Sequence, residues 1–425
     1  MGAAESFGLR DLGLKVYGPS LLYAVGLGAI TPVVALTARE LGASVATAAL
    51  VVTLIGVGSL ITNVPAALLT ARFGERLSMI AAAGVAALGM VLALLADDVA
   101  LLAGAILLVG MAGAVFNLAR QSYLAEAVPA YFRARAMSTL GGTIRIGAFA
   151  GPFLGAAVMS FAGLDGAYWF GLAAMLAAAG VGFLVPELPV PVAPGPAPRP
   201  DGVPREAGAS GQAADPLAAD AGGPGRTTMR AIGVRYWRTF ATVGTGVVIL
   251  SAIRASRQVV IPLWADQLGL DASTASLVYG VSGALDVLVF YPAGRLADRR
   301  GHVWAGVPCV FFLSASLALM PLAHDVTTLM GIGALMGLAN GMGTGIVMTL
   351  GAEYAPPDAR PQFLGLWRLF ADTGMMAGPI VLSAVASAAS LATGMWVLAG
   401  AGLVGTGVFA WYLPLYQHGR RGRPR

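Results

Sequence analysis

Runs of about 20 mostly apolar residues recur along the chain from Val16 onward, each long enough to cross the hydrocarbon layer of a bilayer. Short segments carrying Arg, Asp, Gly and Pro separate them. Of the 425 residues, 57% are hydrophobic and 11% charged, against about 45–50% and about 25% in an ordinary soluble domain. No single soluble core hides that much apolar surface. Most of the chain belongs in lipid, and the expected class is an all-α membrane protein.

The apolar runs predict spans near residues 15–38, 45–70, 77–96, 99–124, 136–161 and 166–186, then 236–264, 273–294, 303–323, 326–351, 362–388 and 392–415. The first follows Arg10 and Lys15 as a signal peptide would, but it is long and lacks a clear small-residue cleavage site, so it reads as a retained helix. Residues 187–235, rich in Pro, Gly, Ala and Asp, cannot form a core and read as a disordered linker between two six-helix bundles, 15–186 and 236–415. Residues 1–14 and the basic tail 416–425 complete the expected domain plan.

The formal charge of +5 is topological. One set of loops collects Arg10, Lys15, Arg72, Arg76, Arg133, Arg135, Arg295, Arg299, Arg300, Arg360 and the tail arginines, while the other carries Asp97, Asp98, Asp165, Asp266, Asp271 and Asp325 with Arg39 alone as a base. By the positive-inside rule both termini lie in the cytoplasm, and the expected location is the inner (plasma) membrane of the cell. Cys309 is the only cysteine, so intrachain disulfides are impossible and a metal cluster has no material.

An internal repeat organises the chain. An offset of 227 residues carries Leu41-Gly42 onto Leu268-Gly269, Pro65 onto Pro292, Arg72 onto Arg299, Gly110 onto Gly337, Glu126 onto Glu353, Pro129 onto Pro356, Arg133 onto Arg360, and Gly151-Pro152 onto Gly378-Pro379. Matched Pro, Glu and Arg at a fixed register mark homologous halves, repeated in parallel about an axis along the membrane normal.

After the second span of each half comes a loop signature, PAGRLADRRGH from Pro292 to His302 and a decayed copy, PAALLTARFGER, from Pro65 to Arg76. In these the chain resembles the major facilitator superfamily over its whole length apart from the linker. The resemblance implies twelve transmembrane helices in two parallel-repeat halves, with helices 5 and 8, and helices 2 and 11, facing one another across the boundary. It also implies a cytoplasmic gate containing Gly294, Asp298, Arg299, Gly301, Glu353 and Arg360, with Arg72, Glu126 and Arg133 as first-half counterparts. Ala71 stands where the Asp partner of Arg72 is expected. The alternative for these residues is positive-inside decoration.

Gly147, Gly151, Pro152 and Gly155 resemble a helix 5 pattern of proton-driven drug exporters in the superfamily, with Ala156 departing from it; the alternative is close helix packing by small residues. The arginine expected four residues before Gly110 is replaced by Ile106. Proton coupling would therefore use other groups, since a charge in hydrocarbon is costly and points to function. Asp286 and Arg145 lie at matching depths and form the expected cross-half pair, acting as a proton site or as a static lock. Asp372, the repeat partner of Arg145, is expected near Ser59 and Asn63 as a second carboxylate. Arg254 and Arg257, with Gln258 beside them, share a helix face and would receive an anionic or amphiphilic cargo, pair with Asp286, or reach the outer water layer. Asn117, Arg120, Asn340 and Thr344 are expected along the cavity, and Tyr23, Trp264 and Tyr279 line it or anchor the interface.

No nucleotide-binding loop, paired-His helix face or nucleophile with a base nearby occurs, so neither catalysis nor ATP-driven transport has residues to run on. The expectation is a monomer in the bilayer, without cofactor, nucleotide or nucleic acid, that exports a small apolar or amphiphilic compound on the proton gradient. Movement of a polar or anionic metabolite, and a non-transporting receptor or scaffold, are the alternatives.

Overall fold

The structure, a computed structural model, describes residues 16–128, 130–185, 229–343, 345–356 and 359–421. Its first bundle holds α1 (Gly18–Glu40, interrupted at Thr31-Pro32), α2 (Val45–Phe73), α3 (Glu75–Leu94), α4 (Val99–Ala127), α5 (Ala130–Ala162) and α6 (Asp165–Gly182). The second holds α7 (Trp237–Gln267), α8 (Ala272–Arg300), α9 (Val303–Leu322), α10 (Val326–Tyr354, interrupted at Gly343), α11 (Arg360–Ala388) and α12 (Leu391–Arg421). Among the described residues, 11 of these helices are long and apolar enough to cross a membrane. The remaining one, α6, has 18 residues and spans about 27 Å at 1.5 Å per residue; it completes the first bundle against α1 and α3.

Several helices outrun their apolar cores. The α8 helix continues past Gly294 to Arg300, and α12 continues past residue 415 to Arg421. The expected linker also needs correction, because Met229–Arg235 is helical and buries Ile232 completely. That residue supplies an apolar anchor where composition alone suggested none. The remainder of the linker up to residue 228, residues 1–14, Pro129, Thr344 and the end of the basic tail lie outside the described residues.

The repeat extends to the punctuation of the helices. Ser44 and Asp271 occupy equivalent N-caps, accepting from Thr47 N at 3.1 Å and Thr274 N at 3.0 Å. Asp98 and Asp325 do the same for α4 and α10, each at 2.7 Å. Such caps satisfy donors that a helix start leaves open. Gly74 and Gly301, which end α2 and α8, have φ of 79° and 96° with ψ near 160°. That region is open to glycine alone in practice, so the loop signature carries these glycines for a backbone reason.

Within each bundle small residues let helix backbones touch. Gly110 of α4 lies on Ile55 O of α2, and its repeat equivalent Gly337 of α10 lies on Ser282 O of α8. Gly151 sits on Val25 O of α1, and Gly378 on Ala252 O of α7, again one repeat apart. Between the bundles, α5 packs along α8 and α2 along α11. At the end bearing the acidic loops the halves are tied by Arg39 to Asp266 (3.0 Å), Ser273 Oγ to Ala156 O (2.9 Å) and Ser383 Oγ to Ala46 O (2.8 Å). Toward the arginine-rich end Ile61, Val64 and Leu68 of α2 and Leu369 of α11 are exposed. The halves are thus tied at the acidic end.

Candidate functional site

Halfway along α8, Asp286 accepts a hydrogen bond from Asn340 Nδ2 of α10 at 2.7 Å and lies 3.8 Å from Arg257 Nη1 of α7. Arg257 also reaches Ser282 Oγ at 3.5 Å and stacks over Tyr279. One turn back on α7, Arg254 donates to Asn340 O at 3.1 Å and lies 3.9 Å from Cys309 Sγ of α9. Both arginines therefore point into the second bundle rather than toward the outer water layer. Gly341 and Gly343 permit this, since a Cβ at 341 would meet Asp286 O and one at 343 would meet Cys309 Sγ and Arg254 Nη2.

Arg145 comes from α5 in the other half. Its guanidinium lies 4.1 Å over the Phe290 ring, close enough for its charge to bear on Asp286 and Arg254. This contact crosses the boundary at the depth expected, but it differs from the expected Arg145–Asp286 pair. Asp286 finds Arg257 and Asn340 inside its own bundle, while Phe290, one helical turn further on, offers its face to the cation. The centre thus gathers three guanidiniums around one carboxylate.

A second group occupies the first bundle. Tyr23 of α1 stacks on Phe116 of α4 with centroids 4.1 Å apart, and Arg120 lies over the same ring at 5.6 Å. Arg120 Nη2 donates to Asn117 Oδ1 at 2.6 Å. Tyr23 and Arg120 are each only 3% exposed, and among the described residues Tyr23 Oη and Arg120 Nε have no hydrogen-bond partner.

Asp372 shares a cavity of about 320 Å³ with Ser59 and Asn63 of α2 and Gln258 of α7, walled by Ile55, Leu60, Met375 and Met376. Its carboxylate lies 3.7 Å from Arg368, one turn away on α11. Trp264 donates to Ala323 O at 3.2 Å and so ties α7 to the end of α9.

At the basic end Asp298, Arg299, Glu126, Arg133 and Arg360 are exposed, Gly294 and Glu353 are half-buried, and Arg72 stacks over Phe73. Glu353 bonds His302 at 2.8 Å, a partner that the sequence reading missed. Its signal was available, because the repeat places His302 opposite Glu75, a change of sign beside the matched Glu126 and Glu353. Phe290, Ser282 and Cys309 were also missed, since an uncharged residue in an apolar run gives no mark of its neighbours. Gly147, Gly151, Pro152 and Gly155 lie where α5 presses on α1, and Gly374 and Gly378 repeat the arrangement of α11 on α7. Close packing therefore accounts for this pattern in both halves. Among the described residues no cluster of His, Cys, Asp and Glu could hold a metal ion.

A search of curated protein sequences gives no match. Among solved structures, a bacterial homologue of the human lysosomal transporter Spinster, inward-facing and unoccupied, superposes with a TM-score of 0.73 at 13% identity, covering 98% of this chain and 99% of that one. The nucleoside transporter NupG (D323A mutant) gives 0.68 at 14%, covering 94% and 98%. A POT family transporter in complex with 5-aminolevulinic acid gives 0.72 at 10%, covering 96% of each. The sequence model of the Major Facilitator Superfamily matches residues 20–258 and 243–424. With that match over both halves and the twelve-helix fold, the chain belongs to the major facilitator superfamily of membrane transporters.

Proposed function

We propose that the chain is a proton-coupled secondary transporter that moves a small solute bearing an anionic group, by alternating access of its two bundles around Asp286. The observation that carries this reading is the surplus of guanidinium in the middle of the membrane, Arg145, Arg254 and Arg257 around a single carboxylate. Charge at that depth is costly unless compensated. A cargo anion would compensate it.

Coupling follows from the ion pair. Protonating Asp286 removes the charge that holds Arg257, and an anion that takes Arg257 draws the guanidinium away from Asp286. Each event favours the other, and the coupling free energy is reciprocal. Proton and anion would then move together. In this reading the arginine-rich loops and both termini lie in the cytoplasm of a cell whose inner membrane holds the protein, so the end tied by Arg39 and Asp266 faces outward.

A second reading, proton-driven export of small apolar or amphiphilic compounds, is favoured by the cavity beside Asp372, whose walls include Ile55, Leu60, Met375 and Met376. There proton and cargo would move in opposite directions. A receptor or scaffold has no use for the central charges.

Purified protein in proteoliposomes, acidic outside and alkaline inside, separates these readings. Radiolabelled p-toluenesulfonate and phenyltrimethylammonium are matched in size and permanently charged with opposite sign. Accumulation of the sulfonate inside supports the leading reading. Gradient-driven expulsion of the ammonium compound supports the second. Movement of neither, at millimolar concentration, overturns both.

A further inference from the structure

The group formed by Arg120 and Tyr23 is not used by the central site. We propose that it is a second anion site, buried between α1 and α4, that takes one negative charge as a free halide or as a carboxylate.

Two donors are brought together there without an acceptor. Arg120 and Tyr23 lie on the same Phe116 ring, both 97% buried, since each is only 3% exposed. Among the described residues Arg120 Nε and Tyr23 Oη have no hydrogen-bond partner, although Arg120 Nη2 is held by Asn117 Oδ1. Among the described residues no carboxylate pairs with Arg120. Arg120 lies seven residues from the Ala127 end of α4, about 10 Å inside at 1.5 Å per residue.

A buried donor left unsatisfied destabilises the fold, and a charged one does so more strongly. A water molecule could satisfy both donors but would leave the guanidinium charge uncompensated in a bundle where Coulomb forces are strong. A monovalent anion answers both needs. Beside the phenol, Gly113 leaves open only the volume of its missing Cβ, which would lie in ordinary contact 3.5 Å from Tyr23 Oη. The planar guanidinium edge suits a carboxylate oxygen or a halide equally, so the site does not choose between a free ion and the head of a cargo.

The test needs no flux and so stands apart from the transport reading. Thermal unfolding of the purified full chain is followed in sodium gluconate, with bromide or acetate replacing gluconate at constant ionic strength. The wild type is expected to show a rise in Tm that saturates with concentration. Saturation by bromide identifies a free halide, and saturation by acetate alone identifies a carboxylate. Tyr23→Phe, which removes one donor, should weaken the response about tenfold. Arg120→Gln should abolish it while unfolding in gluconate no earlier than the wild type, because it deletes an uncompensated charge. Should Arg120→Gln fail to fold, Tyr23→Phe still decides the matter. An anion response absent from the wild type, or unchanged in both variants, would overturn the proposal and leave a bridging water as the occupant.

Discussion

Arg39 and Asp266 stand 227 residues apart, occupy equivalent positions of the repeat, and meet across its axis with Nε 3.0 Å from Oδ2. The two serine bonds beside them obey the same symmetry. Ser273 is the repeat equivalent of Ala46 and Ser383 that of Ala156, so Ser273 to Ala156 O and Ser383 to Ala46 O exchange places under the repeat. Three contacts at one end of the molecule thus form a pseudo-twofold seal, with α1 and α7 at its centre and the seams α5/α8 and α2/α11 on its flanks.

Breaking this seal should favour opening at the acidic end. The Arg39 and Asp266 side chains are about one third exposed, and pairs of that kind contribute at most about 1 kcal/mol, or roughly a fivefold shift in population. In a Cys309→Ser background, a cysteine at Ala46 should react with an impermeant maleimide severalfold faster in Arg39→Gln. The charge exchange Arg39→Asp with Asp266→Arg should restore the slow rate.

Gly337→Ala drives a methyl group into Ser282 O, and Gly110→Ala does the same at Ile55 O. Overpacking of this sort costs about 1–3 kcal/mol, so each variant should lose several degrees of Tm. Gly331→Ala, where nothing lies within 4 Å, should match the wild type. Comparable losses at all three positions would show that the backbone contacts are not specific.

The cap at Asp271 gives a pH dependence of known sign. The Thr274 hydroxyl, which donates to Asp271 Oδ1 at 2.6 Å, holds the carboxyl below its ordinary value, aided by backbone donors at the helix start. Its stabilising effect is complete above the unfolded pKa of about 3.9 and is lost as pH falls through the lower folded value. Asp271→Ala should cost about 1 kcal/mol at neutral pH, and unfolding midpoints for variant and wild type should converge at low pH.

Asp286→Asn should keep the hydrogen-bonding outline of the site while removing its titration. The expected result is exchange of cargo across the membrane at near wild-type rate with no accumulation on a pH gradient. Counterflow in proteoliposomes, with and without the gradient, measures both quantities. Full gradient-driven accumulation by the variant would remove Asp286 from coupling.

The helices and the relation between the halves were legible because hydrocarbon imposes a length on each apolar run and the repeat fixes the register, while the pairing of α5 with α8 and of α2 with α11 followed from the resemblance to the superfamily. Arg145, Asp286 and Asp372 were also legible as rare charges in apolar surroundings. Their partners were not. Whether Arg145 meets Asp286 or Phe290 depends on helix rotation by a fraction of a turn, and nothing in an apolar run reports that angle. The capture of Asp286 by Asn340 depends on α10 approaching α8 through Gly337 and Gly341, contacts made by residues with no chemistry of their own. His302 was hidden for another reason, because it ends the loop signature while its partner Glu353 lies 51 residues further on, in another helix.

Alternating access about the central charges is the claim on which the rest depends, and paired spin labels test it directly. With Cys309→Ser as background, one pair of nitroxides at the repeat-equivalent positions Leu41 and Leu268 reports the acidic end. A second pair at Arg72 and Arg299 reports the basic end. Distances measured by pulsed electron resonance at neutral pH, and again at acidic pH with p-toluenesulfonate, should change in opposite senses, the first lengthening as the second shortens. Distances that stay fixed, or change in the same sense at both ends, would contradict the account.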